Sequence, residues 1–138
     1  MRFDVRCGWI AEVSFRQWGR CMGAERDLNR MRTSLGVQRW EAIGHLLSDG
    51  DYLGFNESDY RGAIAAYDKA WDLLNTPWQR QTGGADILGG IADFALLSED
   101  PELAGEALDS LLPRAAQIAS SSLCAACDKL ASLAAKRE

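Results

Sequence analysis

From Asp59 to Leu74 the chain reads D-Y-R-G-A-I-A-A-Y-D-K-A-W-D-L-L. Ala63, Tyr67, Ala70 and Leu74 fall four, three and four apart, the spacing of one face of an α-helix. What constrains the fold is the mixture on that face. Alanines let a second helix approach closely, while Tyr67 and Trp71 fill the space beside the crossing. A single helix this short is marginal in water and takes its stability from packing, so the stretch demands helical partners. The same spacing returns at Ala104, Leu108 and Leu111, 41 residues after Ala63. Each copy follows an apolar helical stretch and an acidic turn signal, Asp49-Gly50-Asp51 in one case and Glu99-Asp100 in the other.

Around these copies the pattern predicts further helices. A short basic one covers Ala24 to Arg32, with Leu28 and Met31 inward, and breaks at Thr33-Ser34-Leu35-Gly36. Another covers Gln38 to Leu47 and is expected to end at the Asp49-Gly50-Asp51 turn; Gly54 to Ser58 reads as a second turn. Ser58 or Asp59 caps the central helix by accepting from free N–H groups of its first turn. Pro77 is expected to take the chain out of helix near Thr76. Residues 82–97 form the next helix despite four glycines in or beside it, each interior one costing about 1 kcal/mol relative to alanine. Gly89 and Gly90 there suit close approach by another helix or a ligand. Asp100 caps the helix that follows, with Pro101 at its first position, and Pro113 is expected to stop it. A last helix starts near Ser120–Ser122 and turns Leu123, Cys127, Leu130 and Ala134 inward.

The N-terminal stretch is ambiguous. Phe3, Val5, Cys7, Trp9, Ala11, Val13 and Phe15 alternate, which favours a strand or β-hairpin around Gly8. The same residues admit a helix with Cys7, Phe15 and Trp18 on one side. The chain therefore reads as one mainly α domain over residues 1–138. It has a basic N-terminal segment or cap at 1–36, helical hairpins at 38–113 and a C-terminal helix at 120–138.

A resemblance follows from the repeated spacing. The second-helix signature of the tetratricopeptide repeat family, A-x-x-x-Y-x-x-A with a following proline, is matched by Ala63, Tyr67, Ala70 and, somewhat late, Pro77. Leu88, Ile91, Ala92 and Ala95 stand at the corresponding first-helix positions before Ala104; Ile91 and Ala92 fit, whereas Leu88 and Ala95 replace expected aromatics. The resemblance covers residues 44–113 and implies a short helical-hairpin array that binds other proteins. In that family the first helix of each pair lines the concave surface, which implies that Asp86, Gly89 and Asp93 face a groove.

Charge bears on what such a groove would take. The chain carries 15 basic and 20 acidic residues, a net charge of -5. Residues 1–40 hold eight arginines against four acids, residues 41–109 three basic groups against fourteen acids, and the tail from Ser110 is again basic. An acidic middle between basic ends pairs with them inside one domain or presents a docking face to a basic protein. Asp68 and Asp72, Asp86, Gly89 and Asp93, and the aromatic Trp78 are the candidate contact residues. The acidic balance argues against a nucleic-acid partner. No apolar run is long enough for a membrane span, and the N-terminus lacks the continuous apolar core of a signal peptide. These point to a cytoplasmic protein. Its size and charge suit a small inhibitor or immunity-type protein that masks a basic surface, with a homodimer as a further arrangement.

Catalytic chemistry is weakly encoded. No phosphate loop, dinucleotide fingerprint or H-E-x-x-H occurs, and no cofactor is implied. His45 is the only histidine and has no evident nucleophile or metal partner. Cys124-x-x-Cys127 has the spacing of a redox dithiol or of half a zinc site. The alternative function is therefore a small thiol oxidoreductase. A four-cysteine metal site would need Cys7 and Cys21 to meet that pair.

Overall fold

The computed structural model describes residues 25–137, and these are mainly helical, with no strand among them. The proposed β-hairpin at 3–15, together with Cys7 and Cys21, lies outside the described residues. Helix α1 (Glu25–Leu35) runs past the expected break at Thr33. Gly36 ends it with φ of 85°, a left-handed conformation that glycine adopts without strain. Its N–H bonds Arg32 O and its carbonyl accepts from Trp40 N, so this one residue closes α1 and opens α2 (Val37–Asp51).

The Asp49-Gly50-Asp51 turn does not form. Helix α2 passes through all three residues and continues into a π-helical segment, Tyr52–Asn56. The reason is tertiary. Gly50 is buried where an added Cβ would lie 2.7 Å from the Tyr67 ring, and buried Asp51 accepts a 2.5 Å hydrogen bond from the Tyr67 hydroxyl through Oδ1. The glycine admits the neighbouring helix and the aspartate answers its hydroxyl, so local turn propensity loses.

Asp59 caps α3 (Tyr60–Asp72) by accepting from Gly62 N. Ala63, Tyr67, Ala70 and Leu74 are fully buried, as the opening spacing requires. Pro77 then starts a helix rather than merely ending one. Thr76 caps it through Gln79 N, and the missing proline N–H at the first position has no bond to lose. Backbone helix runs on through α4 (Pro77–Gln79), a π-helical segment (Arg80–Gly84) and α5 (Ala85–Ser98), beginning five residues before the predicted start at 82. Buried Gln79 braces this entry. Its Nε2 donates to Ser34 Oγ at 2.7 Å and its Oε1 accepts from Asn75 N at 2.7 Å.

Asp100 caps α6 (Pro101–Ala115), with Pro101 first as expected. Pro113 fails to stop it. The carbonyl deprived of a partner belongs to exposed Asp109, while buried Leu111 and the bonds made by Arg114 hold the final turn in place. Ser120 caps α7 (Ser121–Ala134), which buries Leu123, Cys127, Leu130 and Ala134 and ends in a 3-10 turn, Ala135–Arg137.

The helices pack in chain order: α1 on α2, α2 on α3, α3 on α5, α5 against α6 and α7, and α6 against α7. The core centres on Tyr67 and Phe94, whose rings meet edge-on at 5.4 Å; Phe55 tilts against Phe94 at 5.1 Å. Helices α3 and α6 run parallel. Arg61 pairs with Glu106 at 2.6 Å, and about two turns further along both helices Asp68 pairs with Arg114 at 2.8 Å.

Candidate interaction groove

Asp86, Gly89 and Asp93 sit on one face of α5, half-buried. Opposite them stand Ser122, Leu123 and Ala126 of α7, and with Ala85 these residues line a groove of about 240 Å³. Geometry explains the grouping. Positions 86, 89 and 93 are three and four apart, so they share a helix face, and α7 packs along that side because its Leu123, Cys127 and Leu130 stripe needs α5 to cover it. The two carboxylates are seven residues apart, about 10 Å along the axis. The floor between them is Gly89, with apolar wall from Ala85, Leu123 and Ala126. Asp86 and Asp93 also engage other groups of the chain.

A helix starting near residue 82, as the pattern predicts, would place Asp86 by the positive end of the dipole. Because backbone helix already runs from Pro77, Asp86 is two turns inside, beyond the reach of that effect.

The other candidate contact residues are elsewhere. Asp68 belongs to a second cavity, of about 220 Å³, between α3 and α6, floored by Ile64, Ala65, Ile91 and Leu103. There it is held by Arg114, whose side chain is 16% exposed and whose guanidinium also bonds Ser110 Oγ. Arg61 spans the other end. Its hydrogen bond to Glu106, then that group's charge, with smaller contributions from Asp100 and Glu102, hold its guanidinium above its ordinary range. Asp72 is exposed on α3. Trp78 is half-buried at the start of α4, with the Arg30 guanidinium 4.2 Å from its ring centroid. Of the six residues, three share the groove and three are dispersed.

The α7 wall was not legible as part of a site. Leu123 reads as core and Ser122 as part of the helix start, and both hold those places; no sequence signal joins them to α5. The Arg61–Glu106 and Asp68–Arg114 ties were equally hidden, since their partners are 45 and 46 residues apart.

The cysteine pair is split by environment. Cys124 is exposed and Cys127 buried, both as free thiols. Burial pushes the Cys127 thiol up, with Cys124 and then Asp128 adding to it. A reactive thiolate needs the opposite shift. Residues three apart inside a regular helix also hold their Cβ atoms about 5–6 Å apart, wider than the roughly 3.5–4.5 Å of a disulfide. Cys124 is the fourth residue of α7, past the capping serine and most of the first turn. His45 is exposed on α2. Among the described residues no cluster of three or more histidine, cysteine or acidic side chains is placed to hold a metal. Nor is any described helix long and apolar enough to cross a membrane.

Comparison with protein-family models, with characterised proteins and with solved structures finds no match to this chain.

Proposed function

We propose that this chain is a protein–protein interaction module of tetratricopeptide-like construction, whose α5–α7 groove takes a basic segment of a partner protein. The observation that carries the reading is the groove itself: two aspartates a fixed distance apart on one helix, a glycine floor between them, and an apolar wall from a second helix. Like-directed α3 and α6, packed against α2 and α5 respectively, support the repeat construction. In such arrays each unit buries its apolar face on its neighbours, and α7 closes the end of this one with a single inward stripe and a polar exterior. A narrower version makes the protein an immunity-type inhibitor that masks a basic surface of its target. The aspartates would then serve chiefly to steer association and fix register.

The test is affinity capture from native lysate with wild type beside Asp86→Lys/Asp93→Lys, followed by titration of the purified partner. A stoichiometric basic protein that binds wild type and loses affinity for the variant by about tenfold or more supports the reading. Equal binding by the two proteins refutes it.

A further inference from the structure

Gly89 differs from other glycines in these helices. A side chain at Gly50 would press on the Tyr67 ring, one at Gly54 on Phe94, and one at Gly84 on Trp71. Each of those positions is glycine because a neighbour occupies the space. From Gly89 the direction a Cβ would take is open, with nothing among the described residues within 4 Å. Its backbone is ordinary helix within α5, where glycine is the poorest helix former after proline. Neither packing nor backbone conformation calls for glycine there.

The open space belongs to the α5–α7 groove. At about 240 Å³ this groove is smaller than the roughly 300–1,000 Å³ of sites for whole small molecules. It has the scale of one large side chain. Ala85, Leu123 and Ala126 supply apolar contact, and a carboxylate lies toward either end.

We propose that Gly89 is the seat for one bulky apolar or aromatic side chain of the partner, flanked in that partner by two cationic residues that meet Asp86 and Asp93. The inference rests on the groove reading above and adds the partner's local chemistry: cation, bulky apolar residue, cation. The seated side chain supplies the buried anchor on which affinity depends. The cations exchange with groups that Asp86 and Asp93 already engage, so they contribute orientation more than residence time.

Two synthetic helix-forming peptides serve as probes. Both carry lysines at the spacing of the two aspartates; one has phenylalanine midway and the other alanine. Anisotropy titrations against the full chain, Gly89→Ala, Gly89→Leu and Asp86→Lys/Asp93→Lys are paired with thermal melts. The phenylalanine peptide is expected to bind wild type about tenfold more tightly than the alanine peptide. Gly89→Ala is expected to raise Tm by about 3 °C while narrowing that preference, and Gly89→Leu to abolish it. A lower Tm for Gly89→Ala would mean that folding itself needs the glycine, which overturns the proposal. Equal binding of both peptides to wild type, lost in the aspartate variant, overturns the seat but leaves the groove standing. Binding of neither peptide also overturns the seat, and the groove reading is then decided by the purified partner.

Discussion

Replacing Tyr67 by phenylalanine isolates one atom of the core. The Tyr67 hydroxyl donates to Asp51 Oδ1 at 2.5 Å, and both residues are almost wholly buried, with 1% of Asp51 exposed. The substitution leaves the ring in place, edge-on to Phe94, so no cavity term of consequence arises. What is lost is a short hydrogen bond to an acidic group where water has little access. A bond of that kind contributes about 1.5–3 kcal/mol, including the penalty for the acceptor left behind. For a chain of this length the corresponding fall in Tm is roughly 5–12 °C. Urea titration is the direct assay, with the midpoint expected to fall at constant m. A double-mutant cycle with Asp51→Ala should return a coupling of at least about 0.5 kcal/mol. A melt within about 2 °C of wild type, or a cycle that closes additively, would refute the claim that this bond joins α2 to α3.

Gly50→Ala should destabilise by about 1–3 kcal/mol in the same titration despite alanine's better helix propensity, because the new methyl meets a Tyr67 ring with no room to yield. Arg114→Ala should cost about 1–2 kcal/mol, as a largely buried guanidinium gives up Asp68 and its packing near Trp71. Arg61→Ala, at a pair in which each side chain is at least half exposed, should leave the melt unchanged within error. Between these two cysteines, a thiol reagent under native conditions should label Cys124 rapidly and Cys127 only on opening, read by peptide mass. Cys127 also sets a pH dependence. Its folded value lies above the ordinary 9.0, so above about that pH the unfolded chain releases a proton that the folded chain keeps. Stability should therefore fall as pH rises beyond 9, and Cys127→Ala should flatten that limb.

Local pattern reached far along this chain wherever local physics decides. The caps at Asp59, Asp100 and Ser120 act on N–H groups two or three residues away, and the inward stripes of α3 and α7 follow from helical period alone. Three members of the groove were legible for the same reason, because positions 86, 89 and 93 must share a face of any regular helix. The failures cluster where a distant residue overrode a local preference. Asp49-Gly50-Asp51 has the composition of a turn, yet Tyr67 holds Gly50 and Asp51 in helix. Pro77 does take the chain out of helix, with Thr76 extended before it, but the next helix starts there and not at 82, braced by Gln79 on Ser34, 45 residues away, which moved Asp86 away from the helix end. Asp68 looked available until Arg114, 46 residues on, was found against it.

The sequence by itself determined that the described chain is helical, where most helices begin, and which faces turn inward, since period, capping and proline chemistry are properties of short stretches. Tertiary structure decided which helices face one another, and therefore that α7 walls the aspartate face of α5 while α6 claims Asp68. Those choices depend on side-chain shape and burial across more than thirty residues of chain, a range over which no local propensity acts.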